Sequence, residues 1–268
     1  MTIADVLRRS VDFLADKGID SPRVDAEHLL AHALGLSRIQ LYTQFDRPLN
    51  EAELEGVREL LRRRGAREPL AYVLGEWGFR RLTLRTDARA LVPRPETEVV
   101  VERCLALLDG IDAPRVLDVG VGSGAIALSL VDEHPGARVT AVDVSPDALA
   151  LARENAERLG LDLDLREGGF EAAAEGWDLV VSNPPYVRPD ELPALQEEVR
   201  TWEPRVALVG DGLHVRLAEA AATTWLVLEV GDGQAPAVAH ALERLGYRDV
   251  RITPDLAGVD RVVEGRRA

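Results

Sequence analysis

Beyond Pro114 the apolar residues of this chain change period in a way that leaves few architectures open. Arg115–Val119 is a continuous apolar run that predicts a strand, Ala125–Val131 a helix, Arg138–Val142 a second strand and Pro146–Leu159 a long helix. Leu161–Leu165, Trp177–Val181 and Leu226–Val230 are further short apolar runs, and Tyr247–Ile252 and Val259–Glu264 read as two closing strands. Strands apolar on both faces and alternating with helices specify a parallel sheet covered on both sides, because crossover helices must lie over the sheet. In such an open sheet, ligands gather beyond the carboxyl ends of the strands.

The preceding residues read as helices. Ile3, Val6, Leu7, Val11 and Leu14 recur at helical spacing before Gly18, and Ser21-Pro22 opens a second helix carrying Ala26, Leu29, Leu30 and Ala33 up to Gly35. A short helix is predicted around Ser37–Tyr42, and Asn50 caps another with Leu54, Val57, Leu60 and Leu61. Short amphipathic helices must bury their stripes against one another, so a small bundle is expected. Trp77 to Leu84 is strand-like and predicts a hairpin. The stiff run Leu91-Val92-Pro93-Arg94-Pro95-Glu96-Thr97-Glu98 then leads into a helix over Val99–Leu108. The expected division is a helical domain over 1–75, a β-hairpin linker over 76–90 and an α/β domain over 91–268.

Three features fall at strand ends of the α/β part. Asp118-Val119-Gly120-Val121-Gly122-Ser123-Gly124 follows the first strand, where glycines let the backbone approach a ligand and start a helix whose N-terminus favours an anionic group. Asp143 ends the second strand, about 20 residues after the first glycine, the position from which a carboxylate accepts hydrogen bonds from both hydroxyls of a ribose. The strand Trp177–Val181 runs into Ser182-Asn183-Pro184-Pro185-Tyr186. Two prolines stiffen this loop and remove two N–H donors, so it is rich in acceptors: backbone carbonyls and the Asn183 side-chain oxygen. Such a loop suits a substrate that presents N–H groups, and Tyr186 offers a flat face to a planar one. An amide nitrogen is a poor nucleophile. Holding its two N–H groups on Asn183 and the Pro184 carbonyl would aim it at a methyl donor and stabilise the charge that develops. The combination points to methyl transfer from S-adenosylmethionine (SAM) to a planar amide or amine nitrogen.

Charge and composition narrow the substrate. Of the net charge of −14, residues 1–86 carry 13 acids against 14 bases, whereas 87–268 carry 33 acids against 18 bases. An acidic α/β part argues against tracking a phosphate backbone. The run Arg58, Arg62, Arg63, Arg64 and Arg67 reads as a solvated helix face and is the one feature that favours nucleic acid, so an adenine- or guanine-modifying methyltransferase remains the alternative. No run approaches the roughly 20 apolar residues of a membrane span, the first residues lack a basic segment before an apolar one, and the single Cys104 sits in an apolar helical pattern. A cytoplasmic protein with no membrane association and an inert thiol is expected. His28 and His32 share a helix without acidic or cysteine partners at ligand spacing, so no metal is expected.

The wider pattern resembles the bacterial release-factor glutamine methyltransferases (the HemK/PrmC family) over nearly the whole chain. The resemblance rests on Arg67-Glu68-Pro69-Leu70-Ala71-Tyr72-Val73-Leu74-Gly75-Glu76-Trp77, on Pro93-Arg94-Pro95-Glu96-Thr97-Glu98, on Asp118–Gly124 with Ala125-Ile126-Ala127-Leu128, and on Asn183–Tyr186. Glu203-Pro204, Gly210-Asp211-Gly212-Leu213 and Leu228-Glu229 extend it. It implies a Rossmann-like, seven-stranded SAM-dependent methyltransferase domain joined by a β-hairpin to a small N-terminal helical bundle. The implied substrate is the glutamine of the Gly-Gly-Gln motif in class-one peptide chain release factors, modified by a monomer with no direct nucleic-acid substrate. By the same resemblance SAM is held by Asp118, Gly120, Val121, Gly122, Gly124, Asp143, Val144, Gly169, Phe170 and Asn183, and the substrate by Asn183, Pro184, Pro185, Tyr186, Arg94 and Glu98. Asn183, Pro184, Pro185 and Tyr186 form the catalytic loop. This sequence departs from the family at three places. Val121 replaces a threonine, and Glu167-Gly168-Gly169-Phe170 stands where an aspartate near the adenine is usual. Only Thr223-Thr224 separates the helix after Gly212 from the strand at Leu226, where the family has a longer helix.

Overall fold

The computed structural model describes residues 1–267; residue 268, the last of the expected 91–268 span, lies outside them. Contacts divide the chain into two units, Met1–Gly75 with Gln196–Trp202, and Glu76–Leu195 with Glu203–Ala268.

The first unit contains α1 (Ile3–Asp16), α2 (Pro22–Leu34), α3 (Arg38–Thr43), α4 (Glu51–Gly65) and α5 (Leu70–Leu74). Thr2, Ser37 and Asn50 cap α1, α3 and α4, each accepting the N–H three residues on, while Asp5, Gln40 and Glu53 reach back to the capping residue's own N–H. Each pair satisfies two backbone donors that a helix start leaves free. Ser21 precedes α2 without a side-chain cap; Pro22 in the first turn starts this helix instead. Ile3, Leu14, Leu29, Leu30 and Leu41 are fully buried where these helices meet.

The second unit opens with the antiparallel pair β1 (Glu76–Phe79) and β2 (Leu82–Arg85). Phe79, Leu82 and Leu84 of this hairpin are buried in the unit's core and the Arg85 N–H donates to Asn155 Oδ1 at 2.7 Å. After a 3-10 turn at Pro95–Thr97 come α6 (Glu98–Leu108), β3 (Arg115–Val119), α7 (Ala125–Glu133), β4 (Arg138–Asp143), α8 (Pro146–Leu159), β5 (Asp164–Glu167) and β6 (Trp177–Ser182). Then follow α9 (Glu197–Trp202), which belongs to the first unit, α10 (Arg205–Leu208), α11 (Leu213–Ala220), β7 (Thr223–Glu229), α12 (Ala235–Arg244), β8 (Arg248–Pro254) and β9 (Asp260–Arg266).

The seven strands lie in the order β5-β4-β3-β6-β7-β9-β8, parallel except at β9, which is antiparallel to both neighbours. Alternate residues feed two cores. Val116, Val139, Leu179 and Val227 face α6, α7 and α8; Leu117, Val142, Val180 and Leu226 face α11 and α12. Cys104 is fully buried in the first of these, and burial pushes its thiol well above the ordinary range.

Two sequence expectations need correction. Leu161–Leu165 is a strand only from Asp164, because pairing with β4, Thr140 to Asp164 through Asp143 to Glu167, sets this edge strand rather than its leucines. Thr223-Thr224 is no spacer, for the β-branched pair already belongs to β7, with Thr223 opposite Trp177. The connection from α11 is Ala221-Ala222 alone. Its groups are satisfied, since the Ala222 N–H donates to Ala173 O at 2.8 Å and Ala222 O accepts from the Trp177 N–H at 2.9 Å.

The arginine run does not form one face. Arg58 pairs with Glu51 and Glu55, Arg62 with Glu59 and Arg63 with Glu68. Arg64, 5 % exposed, places Nε 2.7 Å from Asp25 and Nη2 3.0 Å from Glu198 of α9, and Arg67 Nη2 lies 2.6 Å from the same Glu198. No described helix is long and apolar enough to cross a membrane.

Candidate active site

The sheet reverses its winding between β3 and β6, the point at which an open α/β sheet leaves a crevice outside its strand ends. A cleft of about 510 Å³ occupies that place, within the range of small-molecule sites.

From β3 comes the glycine turn. Gly120, Gly122 and Gly124 have φ of 83°, 55° and 89°, the left-handed region that side chains rarely adopt, and a Cβ on Gly124 would stand 2.8 Å from Leu128. Gly120, Val121 and Gly122 line the cleft. Gly124 is the residue at which α7 begins, so that helix starts against the cleft. Asp118 does not reach the lining: it is 1 % exposed, with Oδ2 accepting the Ala127 N–H at 3.1 Å. Burial, together with the nearby Asp143 charge and against the Ala127 hydrogen bond, raises its pKa to about 7.

Asp143 ends β4 on the cleft wall. Its Oδ2 accepts the Gly122 N–H at 3.0 Å and Oδ1 the Ser145 N–H at 2.9 Å. Each oxygen keeps a second lone pair, and the two together can accept a vicinal diol. One strand further out, at the end of β5, Gly169 and Phe170 line the cleft opposite Val144, which is 61 % exposed. An apolar slot beside a diol acceptor fits a nucleoside base. The glycine cradle, the carboxylate and the slot thus match the three parts of a nucleoside bearing a short charged tail.

Glu171 was not anticipated. Its Oε1 accepts the Gly169 N–H at 2.7 Å, and its carboxylate covers the space that side chains at Gly168 and Gly169 would take. The slot therefore has an acceptor at its edge despite Gly168.

From β6 comes the acceptor loop. Asn183, Pro184 and Pro185 line the cleft, and Ser182 Oγ ties the strand end to Val119 O at 2.6 Å. Val187 N–H donates to Leu208 O at 2.9 Å and Gly210 N–H to Val187 O at 3.1 Å, so the loop is bracketed by backbone hydrogen bonds. Tyr186 does not line the cleft. Its ring stacks near His214 with centroids 6.4 Å apart, its hydroxyl donates to Glu229 Oε1 at 3.4 Å, and burial beside Glu229 raises its pKa to about 12. Arg94 lines the cleft while held by Glu203 at 2.5 Å. Glu98 turns away, with Oε1 accepting the Arg80 N–H at 2.9 Å.

Thr97 and Glu229 also escaped the reading of single residues as site groups. Thr97 lines the cleft and Glu229 ends β7 beneath it, 1 % exposed. A lone carboxylate inside the apolar run Leu226-Val227-Leu228-Glu229-Val230 was the available signal, for a buried charge needs partners.

The family model described as PrmC N-terminal domain matches residues 5–75, and the one described as Methyltransferase small domain matches residues 99–200. A relative named release factor glutamine methyltransferase from Geobacter sulfurreducens is 46% identical over 99% of this chain and 96% of its own length. One of the same name from Chlorobaculum tepidum is 41% identical over 97% of this chain and 95% of its own. Among solved structures, the hMettl16 catalytic domain in complex with MAT2A 3'UTR hairpin 1 is similar at a TM-score of 0.56 and 15% identity, covering 78% of this chain and 80% of that one. At that identity the likeness speaks for the fold alone.

Proposed function

Since the chain belongs to the family of release factor glutamine methyltransferases, we propose that it methylates the side-chain amide nitrogen of the glutamine in the Gly-Gly-Gln motif of class-one peptide chain release factors. SAM, held by the Gly120–Gly124 turn, Asp143, Val144, Gly169 and Phe170, supplies an electrophilic methyl group when bound. The observation that carries this reading is the stiff acceptor loop Asn183-Pro184-Pro185 in one cleft with the diol-accepting Asp143.

The chain's own residues do the rest by position. Asn183 Oδ1 and the Pro184 carbonyl each accept one N–H of the substrate amide. Both acceptors become stronger partners as positive charge grows on that nitrogen, so they favour the transition state over the ground state. No strong base is required, since the proton becomes acidic once the nitrogen carries a fourth bond. Arg94, held by Glu203 and lining the cleft, supplies N–H donors for an oxygen of the incoming peptide in this reading. The adenine or guanine alternative drew on the arginine run; Arg63, Arg64 and Arg67 are tied to acids of the first unit, and the release-factor relatives do not favour that alternative.

The test is transfer of labelled methyl from SAM to purified release factors, with a Gln→Ala change in their Gly-Gly-Gln motif as control. Label on the unmodified factor alone is the expected result. Label on nucleic acid and none on the factor would move the substrate to the alternative.

A further inference from the structure

Behind the cleft floor a short chain of hydrogen bonds ends on Asn183. Thr97, 5 % exposed at the end of the 3-10 turn, donates its hydroxyl to Glu229 Oε2 at 2.6 Å. Tyr186 donates to the other oxygen of Glu229 at 3.4 Å, and Asn183 Nδ2 lies 3.4 Å from Thr97 Oγ1. A hydroxyl has one proton, and a carboxylate can only accept. With its proton committed to Glu229, Thr97 can only accept from Asn183, which requires the amide NH₂ to face Thr97. The Asn183 oxygen is then the atom turned away from Thr97, the orientation in which it accepts an N–H from the substrate.

We propose that Thr97 and Glu229 are positioning residues that set the donor–acceptor polarity of the Asn183 carboxamide, so that it presents its oxygen to the amide being methylated. This rests on the role given to Asn183 above. Without such a brace the two ends of a carboxamide are nearly isosteric, and the amide could turn over to meet the substrate's N–H groups with its own.

The same chain makes the polarity depend on protonation. The charged groups facing the Glu229 carboxyl are Arg261 of β9 and Glu96 of the 3-10 turn, alongside the neutral hydroxyls of Thr97 and Tyr186; His214 of α11 meets only the Glu229 backbone carbonyl. Burial outweighs the hydrogen bond from Thr97 and the attraction of Arg261 and raises the pKa to about 7. A protonated Glu229 can donate to Thr97, freeing the Thr97 proton to point at Asn183 and favouring the reversed amide. Turnover should therefore fall as pH drops through about 7.

The experiment measures kcat and KM for a release factor from pH 6 to 9 in the wild type, Thr97→Ser, Thr97→Val and Glu229→Gln, with SAM binding by calorimetry and a thermal melt for each. Thr97→Val should lower kcat at pH 8 by roughly 10- to 100-fold with SAM affinity within about twofold, and Thr97→Ser should restore it. The wild type should lose about tenfold in kcat between pH 8 and pH 6, and Glu229→Gln should abolish that ratio whatever its level at pH 8. Wild-type kcat in Thr97→Val, or an unchanged acidic limb in folded Glu229→Gln, would overturn the proposal. If Thr97→Val does not fold, the Glu229→Gln profile still decides. Should the wild type label no release factor, the substrate reading falls first and this inference with it; activity that survives Thr97→Val removes the positioning role alone.

Discussion

Replacing Gly210 by alanine tests whether the acceptor loop works through position. A methyl group at Gly210 would stand 2.2 Å from the Pro185 carbonyl oxygen, 2.9 Å from its carbonyl carbon and 2.6 Å from Leu213 Cδ1. Leu213 can rotate away, but the Pro185 peptide cannot: two prolines fix the backbone before it, and Tyr186 beyond it is held by Glu229. Real contacts of this kind lie at or above 3.0 Å, so the loop must retreat by roughly 1 Å. A misplacement of about 1 Å costs on the order of 100-fold in rate, or about 2.7 kcal/mol of barrier. Overpacking should add about 1–3 kcal/mol of lost stability. The assay is kcat for methyl transfer to a release factor, with SAM affinity and a denaturation curve measured in parallel. Gly212→Ala is the control, because Gly212 has φ of 64° but nothing within 4 Å of an added Cβ. It should cost about 1 kcal/mol of stability through backbone strain and leave kcat within about threefold. A folded Gly210→Ala protein with kcat also within about threefold would refute the positional argument.

Three other outcomes are expected. Asn183→Ala should reduce turnover by about 100- to 1,000-fold while SAM binding, read by calorimetry, stays largely intact; loss of SAM binding would remove the role assigned to it. Arg64→Leu should destabilise the first unit by about 3–5 kcal/mol in urea, because it leaves the buried Asp25 without its cationic partner and Glu198 with Arg67 alone; a change under about 0.5 kcal/mol would show the cluster to be solvated. Asp118 has a folded pKa of about 7 against an ordinary value of 3.8. Folding thus favours its protonated form, and the stabilisation is full below about pH 4 and lost as pH rises towards about 7. Asp118→Asn should accordingly raise the melting temperature much more at pH 8 than at pH 4, with an intermediate gain at pH 5 to 6, and an equal effect at pH 4 and pH 8 would contradict the shifted carboxyl.

Much of the sheet was legible because its signal is local. Arg115–Val119 and Pro146–Leu159 appear with the bounds their apolar runs and flanking Pro and Gly imply. The edge strand β5 was misplaced because an exposed edge is set by its partner's register rather than by its own leucines. That the glycine turn, Asp143 and Asn183-Pro184-Pro185 would share one cleft could be read because each stands at the carboxyl end of a strand of a parallel sheet. Thr97 and Glu229 are 132 residues apart, and no periodicity connects them; only the odd carboxylate in an apolar strand pointed there. Tyr186 shows the converse limit: an aromatic next to a reactive loop reads as a substrate platform, whereas here its side chain lies outside the cleft lining with its hydroxyl on Glu229. The arginine run illustrates how charge spacing on one helix says nothing about acids brought from elsewhere in the chain.

The membership of α9 in the first unit has a consequence for how the molecule is made. Glu198 follows Arg64 by 134 residues, which at about 5–20 residues per second leaves Arg64 without that partner for roughly 7 to 27 seconds of synthesis. Residues 1–75 are therefore translated first and completed late. Their last ion pairs close only after strands β3 to β6 have left the ribosome, so a nascent chain arrested before residue 198 would carry a helical unit still open at Arg64 and Arg67.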